Sequence, residues 1–442
     1  MRRYTLHAGD CRDVMRDYPA DHFDSIVSDP PYGLSFMGKG WDRGVPGEEF
    51  WREALRVAKP GAHLLAFGGS RTFHRLTVAI EDAGWEIRDV VCWLYGSGFP
   101  KSLDVSKAID ATVRLGGSNT RLLRQTEQET GGAPYVKTAP NNGMMNPARE
   151  WQRREWSPTT ADAQQWAGWG TALKPAWEPV IVARKPLVGT VAANVTRYGT
   201  GALNIDGCRV GAEGGTTRSG QPTHLSPSGA FTTGHGIATL DAGRWPANVM
   251  HDGSDEVVAG FPTTGPAQAS MRGDRTGVVM DADWGGPNTL RGHNDAGGSA
   301  ARYYYCAKAS RADREEGCDH LPARTGAEAV ERDDDTAGLQ SPRAGAGRTA
   351  DTVRNFHPTV KPTDLMRYLA RLVTPPDGLL LDPFMGSGST GKGALLEGFR
   401  FVGIDLDPAH VAIAEARCQF AVDYVDAEAA AAEAPGAQLA LF

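Results

Sequence analysis

The chain has 442 residues, room for two or three domains, and is 40% hydrophobic, which suffices for one substantial α/β core. Its 54 glycines and 28 prolines imply much loop, no run of 18 apolar residues appears, and Met1-Arg2-Arg3 leads into a polar strand, so neither a membrane span nor a signal peptide is expected. The net charge of −7 sits mostly after residue 400, where seven acids face Arg417 alone, so the overall balance neither indicates nor excludes a nucleic-acid partner.

In chain order, Tyr4-Thr5-Leu6-His7 reads as a strand, followed by a turn at Ala8-Gly9-Asp10-Cys11 and a helix from Arg12 that ends before Pro19. Phe23 to Ser28 is the next strand. Glu48 to Ala58 has helical spacing and stops at Lys59-Pro60-Gly61; Ala62 to Phe67 is a buried strand. A helix over Arg71 to Ala83 and a strand over Trp85 to Tyr95 follow. Ser102 to Gly170 is polar and irregular. Glu178 to Arg184 is a strand, expected to be antiparallel and at a sheet edge because it contains Pro179. From Val195 to Thr352 the chain is mostly Gly, Ser, Thr, Arg and Asp, as in a recognition insert or a disordered segment. Core periodicity returns with a helix at Asp364 to Val373, a strand at Leu379 to Leu381, a helix at Ser389 to Glu397, a strand at Phe401 to Ile404 and a helix at Pro408 to Val422. The Ala/Glu-rich tail from Asp426 is expected to fray. This alternation implies an α/β fold with a doubly wound sheet. The cysteines (11, 92, 208, 306, 318 and 418) have no framework spacing and suggest reduced thiols in a cytoplasm.

Two stretches carry chemistry. Ser28-Asp29-Pro30-Pro31-Tyr32-Gly33 ends a buried strand: two prolines offer no N–H to a ladder, leaving a carboxylate, outward carbonyls and an aromatic ring at a strand's carboxyl end, where open α/β sheets bind ligands. Leu379 to Thr390 is strand, glycine turn and helix start, and Asp405 ends the next strand 23 positions after Asp382, where a carboxylate can accept from ribose hydroxyls. A phosphate-binding loop is the competing reading of Gly386 to Gly393. It fails because Gly393 stands where a metal-binding Ser or Thr is needed and Asp382 would repel phosphate.

Asp29-Pro30-Pro31-Tyr32 resembles the catalytic motif of amino-group DNA methyltransferases. Asp382, Phe384, Gly386 and Gly388 match that family's S-adenosylmethionine motif, with Ser387 and Thr390 beside them. His357-Pro358-Thr359-Val360-Lys361-Pro362 resembles the segment that closes over the cofactor's methionine part, and Gly9-Asp10-Cys11 the contact to its adenine ring; Asp10 also suits a helix N-cap. Catalytic motif first, insert next and cofactor motif last is the order of the β class. The resemblance covers residues 1–100, about 174–186 and 355–422. It implies a Rossmann-like catalytic domain (1–104, 172–186 and 353–424), inserts carrying target recognition (105–171 and 187–352) and an acidic tail (425–442).

By that resemblance the enzyme moves a methyl group from S-adenosylmethionine to a base in double-stranded DNA, without a metal. Asp29 and the Pro30 carbonyl accept the N–H bonds of the flipped base's amino group, Tyr32 stacks on the base, and transfer is in line. Cofactor contacts fall to Asp10, Cys11, His357, Lys361, Asp382, Phe384, Gly386, Ser387, Gly388, Thr390 and Asp405. A carbon-5 cytosine methylase is excluded because no cysteine follows a proline. In the family an Asp at the first motif position goes with adenine N6 and a Ser with cytosine N4. Asp29 therefore favours adenine, while Ser28 leaves a slipped, cytosine reading. A non-catalytic nucleic-acid or nucleotide-binding module is the alternative of another class. No nuclease or helicase motif accompanies the chain, which suits a stand-alone methylase of a restriction-modification or regulatory type in the cytoplasm of a bacterial or phage-infected cell; a homodimer is compatible. Cys306, Cys318 and His320 are too few and too widely spaced for zinc. The basic run Lys308 to Arg314 suits phosphate contact or a solvated loop, and Trp151, Trp156, Trp166, Trp169 and Trp177 suit packing more than DNA wedging. Lys174 to Glu178 is read as shaping the core.

Overall fold

The computed structural model describes residues 3–34, 44–98, 102–115, 157–210, 217–218, 239–240, 243–266, 270–271, 290–291, 296–307, 312–324 and 353–433. It divides into two compact units, Met1–Gly96 with Trp177–Phe442, and Ser97–Ala176. The larger unit contains, in order, β1 (Tyr4–Ala8), α1 (Cys11–Arg16), β2 (Phe23–Ser28), α2 (Glu48–Val57), β3 (Ala58–Phe67), α3 (Phe73–Asp82) and β4 (Glu86–Leu94). In the smaller unit lie α4 (Val105–Leu115) and α5 (Ala161–Gln165). The larger unit resumes with β5 (Trp177–Arg184), α6 (Val191–Tyr198), β6 (Val249–His251), β7 (Tyr305–Cys306), α7 (Thr363–Val373), β8 (Leu379–Asp382), α8 (Ser389–Leu396), β9 (Arg400–Asp405) and α9 (Pro408–Glu433).

One nine-stranded sheet has the order β1-β9-β8-β2-β3-β5-β4-β6-β7. Its first five strands are parallel, β5 runs antiparallel between β3 and β4, and β6 and β7 continue parallel to β4. Side chains alternate between two cores. Val27, Leu65, Phe67, Val180, Val182, Leu380 and Phe401 pack with α7, α8 and α9 on one face. Ile26, Leu64, Ala66, Ile181, Ala183, Leu381 and Val402 pack with α1, α2 and α3 on the other. A strand covered on both faces must be apolar at every position, which is why these runs show no polar alternation. The sheet is a doubly wound, Rossmann-like one. From β8 the chain crosses through α8 to β9 on one side, and from β2 it crosses through α2 to β3 on the other. The switch point, and hence the crevice for a ligand, falls between β8 and β2.

Three expectations need correction. β5 is antiparallel but central. Pro179 is tolerated there because it lies just past the end of β3: its carbonyl accepts from the Gly68 amide, and its missing N–H would face the same side, where the ladder has stopped. β3 begins at Ala58 rather than Ala62, because Lys59-Pro60-Gly61 forms an irregularity in which the register with β2 jumps from Phe23 opposite Ala58 to Ser25 opposite His63. Asn194 Nδ2 and the Thr200 hydroxyl both donate to the Pro60 carbonyl and fill the space that results. The tail does not fray at Asp426; α9 runs to Glu433 on five alanines and an Arg3–Asp426 ion pair.

The stretch from 187 to 352 supplies α6 and the short strands β6 and β7 to the main unit. Within the smaller unit, buried Asp110 accepts four bonds from the amides and hydroxyls of Thr159 and Thr160. There Trp166 and Trp169 meet edge to face at 5.0 Å, with much of both rings exposed. Trp177 packs on Phe73, whereas Trp151 and Trp156 lie outside the described residues.

Candidate active site

Because Pro30 and Pro31 cannot extend the ladder, the chain leaves the sheet right after β2. The Thr72 hydroxyl, just before α3, donates to the Tyr32 carbonyl at 2.6 Å and holds the turn. Ser28 stays behind it, fully buried, its hydroxyl donating to Asp382 Oδ1 at 2.6 Å and tying the ends of β2 and β8 together at the switch point.

Asp29 is the hub of a small polar group. Its Oδ1 accepts from the Tyr32 hydroxyl at 2.8 Å and its Oδ2 from Lys361 Nζ at 2.8 Å. Lys361 also donates to the Tyr32 oxygen at 3.0 Å and pairs with Glu178 Oε2 at 3.2 Å. Burial works against the Lys361 charge, but Asp29 and Glu178 outweigh it and raise its pKa above the usual lysine range. Burial, reinforced by the same two carboxylates, keeps the Tyr32 phenol neutral far above its ordinary value.

These residues line one end of a cavity of about 830 Å³ over the switch point, within the range of small-molecule sites. Asp29, Pro30, Pro31 and Tyr32 all face it. So do Asp10 and Cys11 from the start of α1, His357 and Lys361, and Asp382, Phe384, Gly386, Ser387, Thr390 and Asp405 from the glycine loop and its neighbours. Lys361 lies against Asp29 rather than along the glycine loop. Gly388 does not line the cavity. It adopts a left-handed φ of +75°, and a Cβ there would sit 2.8 Å from the Ala414 Cβ, so it lets α9 close on the loop from behind. Gly386 has a φ of +51° and passes under His357, whose Nε2 would be 2.7 Å from an added Cβ. Phe384 leans on Phe50 and Trp51 to make an apolar wall. The Asp405 carboxylate, also in the lining, accepts from the amides of Gly386 and Asp407 and from His410. Asp10 caps α1 and takes a two-pronged bond from the Arg12 guanidinium, which holds its carboxyl below the usual range. An apolar aromatic wall, carboxylates able to accept from a diol and the acidic Asp29 group are chemically suited to the adenine, ribose and sulfonium of S-adenosylmethionine.

Residues 23–416 match the model of the N6/N4 family described as DNA methylase, a span that holds the whole Asp29 group and the glycine loop. The chain belongs to the N6/N4 DNA methylase family. The family's methyl donor is S-adenosylmethionine. The chain is 35% identical over 92 residues to the type II methyltransferase M.Cfr9I of Citrobacter freundii, covering 21% of this chain and 31% of that one. It is 34% identical over 68 residues to the DNA adenine methyltransferase YhdJ of Escherichia coli K12, covering 15% and 23%. The matched segments span about a fifth to a third of the curated relatives' lengths. Among solved structures, the cytosine-N4-specific PvuII DNA methyltransferase aligns at 12% identity and a TM-score of 0.38, over 94% of this chain and 86% of that one. The M1.HpyAVI–SAM complex aligns at 12% and 0.34, over 94% and 99%.

The lysine of the competing phosphate-loop reading, Lys392, is buried, pairs with Glu316 and does not line the cavity. A Cβ on Gly393 would lie 2.9 Å from the Arg367 amide and the Met366 Cβ. Gly393→Ser, which would complete the phosphate-loop pattern, is therefore expected to overpack the α7–α8 contact, costing about 1–3 kcal/mol in chemical denaturation and creating no ATP hydrolysis.

Burial pushes the Asp382 carboxyl up to about 7, against the bonds from Ser28, Thr390 and the Phe384 amide. Between its ordinary value of about 3.9 and about 7 the fold keeps a proton that the unfolded chain releases, so this group's contribution to stability falls as pH rises through that window. Burial, with His410 adding to it, holds His357 down at about 4, and burial does the same to His63. Their contributions instead rise with pH between about 4 and about 6.5, and the two slopes oppose each other. Asp382→Asn removes one slope. Its melting temperature relative to the wild type is expected to climb from about pH 5 to about pH 8; a constant difference would mean that Asp382 is ionised throughout.

Several residues of the site escaped the sequence. Glu178 was legible only as the first residue of a strand and the end of a stretch read as shaping the core. Arg417, the lone cation after residue 400, is fully buried and donates to the Ser387 carbonyl and to the hydroxyls of Ser387 and Ser389, bracing the glycine loop. Arg314 is no free phosphate contact: it donates to the carbonyls of Asn355 and His357 and anchors the segment before Lys361. Lys308, at the start of that basic run, lies outside the described residues.

Proposed function

We propose that the chain is a site-specific DNA methyltransferase that moves the methyl group of S-adenosylmethionine to adenine N6 in double-stranded DNA. The observation that carries this reading is the division of labour between Ser28 and Asp29. Asp29 faces the cavity, while the Ser28 hydroxyl is spent on Asp382 and faces none of it. That supports Asp-Pro-Pro-Tyr as the operative motif and, with it, adenine over cytosine N4.

The cofactor supplies a methyl group activated by a sulfonium. The chain's own residues make the amine a better nucleophile. Asp29 keeps lone pairs beyond its bonds to Tyr32 and Lys361, and among the described residues nothing donates to the Pro30 carbonyl. Each can accept one N–H of the exocyclic amine, drawing its lone pair out of conjugation. Tyr32, pinned by its hydroxyl, offers its ring to a base flipped from the duplex, a contact of about 1–3 kcal/mol against an unstacking cost of a few. Phe384 and Asp405 are assigned to the adenosine part of the cofactor, and Gly386, Ser387 and Thr390 to the methionine part. Residues 105–171 and 187–352 are assigned to target recognition. The expected setting is a bacterial or phage-infected cytoplasm; among the described residues no helix is long and apolar enough to cross a membrane.

The test is methyl transfer from labelled S-adenosylmethionine to native genomic DNA, read by nucleoside mass spectrometry. N6-methyladenine supports the reading. N4-methylcytosine would replace the base and keep the mechanism. Cofactor binding without transfer to any duplex would favour a binding module instead.

A further inference from the structure

The Asp29 group contains two carboxylates and one ammonium. Lys361 Nζ bonds Asp29 Oδ2 at 2.8 Å and Glu178 Oε2 at 3.2 Å, and both side chains are only 20% exposed. The other cavity acids have partners of their own: Asp10 has Arg12, Asp405 has His410 and two amides, Asp407 has His410, and Asp382 has the Ser28 hydroxyl and the Phe384 amide. Among the described residues no second cation reaches Asp29 or Glu178, and Glu178 Oε1 has no partner while the residue lines the cavity. Asp29 with Lys361 would be neutral. Glu178, brought in by the antiparallel strand between β3 and β4, leaves this end of the site with one uncompensated negative charge. A buried site one charge short of balance favours a cationic guest over a neutral one of the same shape.

We propose that Glu178 is a specificity-determining residue that makes the cavity prefer the sulfonium form of the cofactor to the thioether left after transfer. This rests on the S-adenosylmethionine reading of the cavity. When the methyl group leaves, the C–S bond's electron pair stays on sulfur and the cofactor becomes neutral, while the amine nitrogen forms the C–N bond and then sheds a proton. The attraction of Glu178 for the cofactor therefore ends with the reaction, which favours release of the spent form. Glu178 acts on discrimination between two ligands, a role a merely structural carboxylate would not have.

The experiment measures equilibrium binding of three ligands to the intact chain by calorimetry: S-adenosylmethionine, S-adenosylhomocysteine, and sinefungin, which carries an amine cation at the position of the sulfonium. The wild type is expected to bind both cations more tightly than the neutral thioether. Glu178→Gln, nearly isosteric, is expected to shrink both preferences by on the order of tenfold. Wild-type binding of S-adenosylhomocysteine as tight as that of both cations would overturn the inference without use of any variant. Unchanged preferences in a folded Glu178→Gln protein would overturn it as well. Failure of all three ligands to bind the wild type would instead overturn the cofactor reading on which it stands.

Discussion

Replacing Asp29 by alanine is expected to lower kcat by about 10²–10³-fold while S-adenosylmethionine binding weakens by no more than about tenfold, since the change also removes the surplus negative charge of the Asp29–Lys361–Glu178 group. In the proposed mechanism Asp29, prepositioned by Tyr32 and Lys361, presents an anionic acceptor at the point where an amine must shed its conjugation. An acceptor that needs no reorganisation during reaction contributes most in the transition state, so kcat is expected to fall further than binding. Asp29→Asn separates charge from geometry. Its amide can still accept through oxygen, but its nitrogen would face either Tyr32 or Lys361, both of which are donors. Single-turnover methylation together with cofactor titration checks both variants, and an Asp29→Ala enzyme with wild-type kcat would remove Asp29 from the chemistry.

Lys361→Met is expected to be the most destabilising change in the site. Among the described residues Lys361 is the one ammonium between Asp29 and Glu178, and its removal leaves two carboxylates without their shared partner in a cavity wall. Stranding buried charges costs about 3–5 kcal/mol, here toward the lower end because both carboxylates retain some exposure to solvent. The denaturation midpoint should fall accordingly, and activity with it, since Asp29 loses one of its two anchors. Adding Glu178→Gln to Lys361→Met should recover part of the stability, because one fewer charge is stranded. A double mutant as unstable as the sum of the two single changes would show that the pair does not share the ammonium.

What the sequence by itself determined about this protein is local. Pro30 and Pro31 must end a strand because they lack N–H groups, and Gly386 and Gly388 permit the tight turn before a helix that the structure makes left-handed; both features are backbone properties that need no knowledge of any neighbour. The apolar runs and the helices between them likewise dictate a doubly wound sheet, because a strand covered on both faces has to be apolar throughout. What only the tertiary structure decided is which distant residues meet. Pro179 pointed to an edge by propensity, yet it sits in a central strand because β3 stops just before reaching it. That same strand brings Glu178 to a lysine 183 positions later in the chain. Lys361 belongs with Asp29 rather than the glycine loop, and Arg417, a lone cation in an acidic stretch, proves to be the buried brace of the glycine turn. Charge pairing across hundreds of residues leaves no periodic trace in a sequence, since a buried ion is defined by its partner and the partner is chosen by the fold.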